Sequence, residues 1–478
     1  MPCNANDIKP YNILILFISL AYMAITLDIT GVLQAAAFWV SNKGGDNTRK
    51  LFFYFFAMLT ILSIVLGNDP VILSGTAFLV YYTAATKLEP LAWLMAEFAA
   101  ANTSSMVLFV GNPTNVVICE GFAVNNAAFT AYTILPFLAC TVVCYVALAF
   151  QFRSDKHLPR KVPNTAKLNA REVLRDPFGA WVGSFILGSC LAVIIIVSFF
   201  KVDVWKISLP FALAKLVFDL VWDEYRFRTV KIGSTGDLME KELQRAMSMP
   251  AAPSEGDSTD LSTSITLRPT SDSPTQSPAP SVKSAKPIPD HPRLFLRQRA
   301  YLQQKQSAFV AHFPTLATAL PRLPFALIPF AFSQFILIEA LSHQGWIEVF
   351  AHWLTKATRG QMHPTIWLVG VLGVLLCNLA GTNIGATILL TKIVRAAPGF
   401  SNQSTRAAAI ALAVASNIGA VSFTFSASLA GLLWQTILKQ KGITIGQSTF
   451  AFWNMLPLGV MTSVGLAIVS AEMAVLYK

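Results

Sequence analysis

Apolar runs recur along most of this 478-residue chain, each near the ~20 residues a helix needs to cross a bilayer. They predict membrane segments over roughly 11–29, 51–67, 70–86, 91–110, 128–150, 178–200 and 206–222. After a gap come 323–342, 364–380, 384–398, 406–420, 421–437 and 448–475. Residues 30–40 and 346–356 mix polar and apolar positions and predict amphipathic helices at the interface. The ~10-residue alternating segments of an outer-membrane barrel are not seen. The predicted fold class is an all-α polytopic membrane protein.

From about Asp223 to His312 the chain turns polar, and nine of its 26 prolines fall between Pro250 and Pro292. A run such as Ser271-Asp-Ser-Pro-Thr-Gln-Ser-Pro-Ala-Pro cannot bury enough apolar surface to offset its ordering entropy. Residues 223–312 are therefore expected to form a disordered cytoplasmic insert, read as a plain tether between two halves in preference to a carrier of phosphorylation sites.

The halves match. Gly31 and Gly345 lie 314 apart, as do Trp39 and Trp353; Asn68 and Asn383 lie 315 apart, as do Asn102 and Asn417. Leu135-Pro136 recurs as Leu456-Pro457. If 51–86 is a re-entrant helical hairpin breaking at Gly67-Asn68-Asp69-Pro70, the hairpin over 364–398 opens to the opposite side. The expected architecture is two inverted repeats, each with a re-entrant hairpin and a broken transmembrane helix, as in secondary transporters. The divisions would be 1–150 as the first transport repeat, 151–177 as a basic cytoplasmic loop and 178–222 as scaffold helices of the second repeat. The insert over 223–312 and the transport part over 313–478 complete the chain.

Composition agrees. Charged residues are 13% and hydrophobic ones 54%, against about 25% charged in a soluble domain, and the mean hydropathy is +0.54. The net charge of +11 suggests nucleic acid until its placement is seen. No Lys or Arg occurs between Leu91 and Gln151, and seven follow between Arg153 and Arg175, a loop pattern that places 151–177 in the cytoplasm. No nucleic-acid partner is expected. The six cysteines lack metal-ligand spacing, and the N-terminus shows no clear signal-peptide cleavage site.

Candidate chemistry sits where polar residues interrupt apolar helices: Gly67-Asn-Asp-Pro, Asn102-Thr-Ser-Ser leading to Gly111-Asn-Pro-Thr-Asn, Asn378-Leu-Ala-Gly-Thr-Asn383, and Ser416-Asn-Ile-Gly leading to Ser422-Phe-Thr-Phe-Ser-Ala-Ser428. Non-helical backbone at membrane depth is tolerated only where protein buries it or a wet cavity lies beside it. The candidate substrate- or ion-binding residues are Asn68, Asp69, Asn102, Thr103, Asn112, Thr114 and Asn115 in the first half. Asn378, Thr382, Asn383, Asn417, Thr424, Ser426 and Ser428 are their counterparts in the second. Asp69 is the preferred proton or cation carrier, with a helix cap as the plainer alternative. Asp28 and Glu339 stand near segment ends, and Glu97 and Glu120 flank the second interruption. The breaks hold no Lys or Arg, so a neutral polar solute is accommodated more easily than a doubly charged anion. Neither a nucleophile elbow nor a phosphate-binding loop occurs; no cofactor, no metal and no enzymatic activity are expected.

At these breaks the sequence resembles the arsenical-pump membrane proteins of the ion transporter superfamily, which also holds citrate and dicarboxylate carriers and sodium/proton antiporters. The likeness rests on Ser428-Leu-Ala-Gly-Leu-Leu-Trp434, Lys441-Gly-Ile-Thr-Ile-Gly-Gln and Leu456-Pro457. In the first half it rests on Leu27-Asp28, Asn68-Asp69, Asn102-Thr103-Ser104, Asn112 and Asn115. The resemblance implies a carrier with its site where the repeats meet, near Asn68, Asn115, Asn383 and Ser428. It implies a bilayer, a small inorganic or carboxylate solute, a coupling proton or sodium ion, and the homodimer common among relatives. Arsenite efflux coupled to protons is the leading expectation. A di- or tricarboxylate carrier and a sodium/proton antiporter are the alternatives, and a non-transporting membrane scaffold a minor one. Three departures stand out: Asn102 where relatives often have Asp, the altered second hairpin tip, and no counterpart upstream of Tyr11 for 178–222, as if N-terminal scaffold helices were missing. The insert suggests a eukaryotic source, leaving plasma and organelle membranes both open.

Overall fold

The computed structural model describes residues 10–162, 174–197, 202–229, 296–325 and 327–477. Among these the chain is helical, with one isolated bridge, Asn47 to Lys161. The first half runs α1 (Pro10–Ile29), α2 (Val32–Gly44), α3 (Thr48–Leu66), α4 (Asn68–Thr86), α5 (Pro90–Ser104), α6 (Pro113–Gly121) and α7 (Asn126–Gln151). Next come α8 (Pro177–Val197), α9 (Trp205–Thr229), α10 (Leu296–His312) and α11 (Pro314–Ala319). The second half is α12 (Leu327–His343), α13 (Trp346–Thr358), α14 (Met362–Leu379), α15 (Asn383–Ala396), α16 (Asn402–Ile418), α17 (Leu429–Gln440) and α18 (Gln447–Leu476). Six of these, α1, α3, α7, α8, α14 and α18, are long and apolar enough to cross a membrane.

The element order of α1–α7 repeats in α12–α18, and the left-handed turns at Gly31 and Gly345 open α2 and α13 alike. Among the described residues, the crossings between the starts of α1 and α12 are α1, the broken pair α5–α6, α7, α8 and α9, with the α3–α4 hairpin as a return. Their number is odd, so the second repeat runs with opposite sense. The repeats interlock. The half-helix α6 packs on the hairpin helix α15 of the other repeat, α17 packs on α4, and α7 lies along α18.

The centre of the molecule is formed by α5 and α16, buried on nearly every face. Their sequences explain this: Ala99-Ala-Ala-Asn102 and Ala407-Ala-Ala-Ile-Ala-Leu-Ala413 carry small side chains all round, so neighbouring backbones approach closely. The first hairpin breaks at one residue. Gly67 adopts φ +84° and ψ 170°, a conformation open to glycine and strained for any other residue. Helix α4 restarts at Asn68, and Pro70 is tolerated there because a first-turn N–H has no helical acceptor. Pro136 and Pro457 sit inside α7 and α18 at matching positions.

Several boundaries differ from the sequence reading. The segments over 91–110 and 421–437 are not continuous: α5 ends at Ser104, and α17 begins only at Leu429. Hydropathy averages over a short irregular stretch, so it ran both helices through their breaks. At the edges of the insert, where disorder is expected from Asp223 to His312, α9 continues to Thr229 and α10 covers Leu296–His312. Partnering explains the former. The buried Asp223 carboxylate accepts hydrogen bonds at 2.8 Å from both Thr315 N–H and Thr315 Oγ1, and Glu224 pairs with Arg228 one turn on. The Pro-rich middle of the insert lies outside the described residues. A buried ion pair also went unread: Lys215 and Asp219 of α9 pair against α1, with Tyr22 donating to Asp219 at 2.9 Å.

Candidate functional site

Each broken helix is held open by the same set of devices. Residues 105–112 contain a single 3₁₀ turn, Phe109–Gly111, before α6; residues 419–428 contain Phe425–Ala427 before α17. Asn112 and Ser428 are extended N-cap residues. The Asn112 side chain accepts from Thr114 N–H at 3.1 Å, and Ser428 Oγ from Gly431 N–H at 3.0 Å. Asn and Ser are favoured at this position for that bond, and Pro113 at the first helical position reinforces the restart. From the two proline-containing helices, Thr133 Oγ1 donates to Val107 O at 3.3 Å, and Asn454 Nδ2 to Ser422 O at 3.1 Å. Buried loop carbonyls are thereby satisfied by side chains three residues ahead of each proline.

The breaks meet at Asn417, fully buried at the end of α16. Its Nδ2 donates to Asn115 Oδ1 at 2.7 Å and back to Ala413 O at 2.9 Å. Its Oδ1 accepts from Ser105 Oγ at 2.8 Å and from Asn112 Nδ2 at 3.3 Å. Asn115 in turn closes its own loop, donating to Ser105 O at 2.8 Å and Leu108 O at 2.9 Å. Ser416 Oγ reaches Thr114 Oγ1 at 3.4 Å. Four expected residues, Asn112, Thr114, Asn115 and Asn417, thus form one uncharged cluster of amides and hydroxyls joining the two repeats. Every side chain in it is sealed from solvent.

Asn68 donates to Asn102 Oδ1 at 3.4 Å, tying the first hairpin tip to α5. Around the second hairpin, Asn378 pairs with Ser422 and accepts from Phe423 N–H, Thr424 N–H and Thr424 Oγ1 at 3.1 to 3.2 Å. Ser426 donates to Thr424 at 3.4 Å. This second cluster is only half-buried, and Leu379 and Gly381 at its hairpin tip are exposed. The two sides of the candidate site therefore differ in burial: complete around Asn417, partial around Asn378.

Other expected residues stand apart. Thr382 caps α15, with Asn383 beside it; Thr103 contacts Met461 Sδ; Ser428 is engaged as a cap. Asp69 lies in the first turn of α4, partly exposed. The four residues expected to line one site, Asn68, Asn115, Asn383 and Ser428, share no direct bond among the described contacts.

Sequence reading left out Ser105, Ser416, Ser422 and Asn454. The first three sit inside the quoted motifs, while Asn454 is visible only by aligning it with Thr133 through the Leu-Pro pairs. It also left Glu97 without a role. This carboxyl is fully buried in α5, one oxygen accepting from Thr76 Oγ1 at 3.0 Å. Among the described residues no group of three or more His, Cys, Asp or Glu is placed to hold a metal ion. The electrostatics of the breaks come from half-helix N-termini, whose free N–H groups favour anions or oxygen-rich neutral solutes.

Six apolar helices, interlocked inverted repeats and satisfied non-helical backbone at their centre define an integral, multi-pass membrane protein. Residues 10–231 match the citrate transporter family. The chain is also similar to the arsenical pump membrane protein of Escherichia coli strain K12, 25% identical over 190 residues, covering 39% of this chain and 43% of that protein. It is similar as well to a 46 kDa membrane protein of Mycobacterium leprae, 24% identical over 169 residues, covering 35% and 39%. The matches thus span less than half the length of these relatives. Among solved structures, the YdaH transporter of Alcanivorax borkumensis aligns with a TM-score of 0.48 and 11% identity over 97% of this chain and 85% of that one. These matches bear out the resemblance to arsenical-pump and citrate-transporter membrane proteins read from the breaks.

Proposed function

We propose that the chain is a secondary active transporter whose solute binds where the two broken helices meet, and that the solute is arsenite, exported in exchange for protons. The observation that carries this reading is the Asn112–Asn115–Asn417 cluster with Ser105 and Thr114. It is made wholly of neutral amides and hydroxyls, and no Lys or Arg occurs in either break. Arsenous acid is mostly uncharged near neutrality and offers hydroxyl groups to such a set. A carboxylate carrying two or three charges would rest on helix N-termini alone or need co-bound cations. The packing supports alternating access. Since α6 rests on α15 and α17 on α4, shifting one repeat's hairpin against the other's half-helix closes one side as it opens the other.

A second reading, a sodium- or proton-coupled citrate-like carrier, is favoured by the family match over residues 10–231. Arsenite retention in cells lacking their own efflux carrier separates the two. The intact chain should lower retention and Asn115→Ala should abolish that effect. Unchanged retention, with the protein confirmed in the membrane, together with citrate-dependent currents, would select the carboxylate reading.

A further inference from the structure

Glu97 is the fully buried acid at the heart of the first repeat, and its surroundings are specific. Thr76 of α4 donates to one carboxyl oxygen at 3.0 Å. Trp434 of α17 acts on the same carboxyl, but neither Oε1 nor the indole N–H completes a well-formed hydrogen bond. Space for the group comes from Gly75, where an added Cβ would stand 2.5 Å from Oε1. Glu97 therefore lies where α4, α5 and the opposite repeat's half-helix α17 converge. These are the elements whose relative shift would open the site.

The helices packed against α5 are α3, α4, α7, α16, α17 and α18. The side chains that act on the Glu97 carboxyl are Thr76 and Trp434, and no charged group from any of these helices bears on it. An unpaired carboxylate sealed in protein costs several kcal/mol, so in this closed arrangement the acid is carried neutral. Symmetry sharpens the point. The position 315 residues on from Thr76 is Thr391, whose buried hydroxyl has no partner, and the position 315 on from Glu97 is Leu412. The donating hydroxyl is repeated in the second half and the acid is not. A group needed only to pack the fold would have no reason to appear in one repeat alone at the cost of a buried polar oxygen.

We propose that Glu97 is the single proton-carrying group of the transport cycle, neutral while α17 closes over it and ionised when that contact opens. On opening, water reaches the carboxyl, its O–H bond breaks and the proton passes to that water; on closing from the other side, a proton is taken up and the charge is removed before burial. A single carrying group sets one proton per cycle. This inference rests on the transport reading above, whichever solute is carried.

The test uses the full chain in proteoliposomes, with arsenite, citrate and sodium each supplied as solute, and compares wild type with Glu97→Gln, Glu97→Asp and Asp69→Asn. Wild type should accumulate solute when a pH gradient is imposed. Glu97→Gln should lose that accumulation while keeping gradient-free exchange of labelled solute, and Glu97→Asp should restore part of it. In infrared difference spectra across about pH 5 to 9, a protonated-carboxyl band should be present in wild type and absent in Glu97→Gln. Gradient-driven accumulation that survives in Glu97→Gln, or is lost only in Asp69→Asn, overturns the assignment to Glu97. A carboxyl band unaltered by Glu97→Gln does the same. Wild-type vesicles that accumulate none of the three solutes refute the transport reading itself.

Discussion

Replacing Asn417 by alanine removes the side chain that makes the most hydrogen bonds across the break junction. Three of its hydrogen bonds leave its own helix: to Asn115 Oδ1 at 2.7 Å, from Ser105 at 2.8 Å and from Asn112 at 3.3 Å. In a water-soluble core, stranding each partner would cost about 1–3 kcal/mol. Within a membrane the unfolded reference also finds partners, and interhelical bonds average ~0.6 kcal/mol. Three bonds at that value give a loss of about 2 kcal/mol, the smaller figure being preferred because all three lie between membrane-embedded elements. The assay is reversible unfolding in mixed detergent micelles, run as a double-mutant cycle with Asn115→Ala. Because the two residues share the shortest of these bonds, their combined loss should fall short of the sum by about 0.6–1.7 kcal/mol. Additivity within ~0.3–0.5 kcal/mol would mean that the residues are energetically independent, and the junction would then be mere proximity.

Two further outcomes follow from packing. Gly111 closes the first 3₁₀ turn and Gly431 lies in the first turn of α17, and a Cβ on either would press well inside contact distance of a backbone carbonyl, that of Ser105 or Phe425. Alanine at either position should lower stability by about 1–3 kcal/mol, whereas Gly459→Ala, with nothing within 4 Å, should stay within about 0.5 kcal/mol of wild type; equal thermal shifts for all three would refute the break geometry. At the α1–α9 contact, Lys215→Met strands Asp219 in a buried site and should cost about 3–5 kcal/mol, while Lys215→Met combined with Asp219→Leu should recover most of it; a double variant as unstable as the single one would show that Tyr22 and Asp219 act without the lysine.

Much of the site was legible before the fold was seen, for reasons that differ by residue. Asn112 and Ser428 announce themselves because an N-cap is a local event: the side chain bonds its own backbone two or three residues on. Gly67 is equally local, since only glycine takes that turn without strain. Asn417 could be selected as a polar residue in an apolar helix, but its partners are more than 300 positions away, and no spacing rule reaches them. Glu97 was seen as an intramembrane acid beside a break. Its weight became apparent only when Thr76 and Trp434 were found around it and Leu412 at its counterpart.

By itself, the sequence determined the class of protein, the number and rough extent of its apolar segments, the internal repeat and the polar breaks. These are properties of short windows: a helix in lipid must satisfy its backbone internally and present apolar side chains over some twenty residues, and any departure is conspicuous against that background. The tertiary structure decided where the helices truly end and that α6 and α17 exchange between repeats. It also decided that Asn417 rather than Asn383 is the junction, and that the Asn417 side is fully buried while the Asn378 side is only partly so. Those outcomes depend on which distant segments pack together. Hydropathy records that a residue avoids water or tolerates it; it does not record which donor, acceptor or acid will lie opposite once the chain has folded.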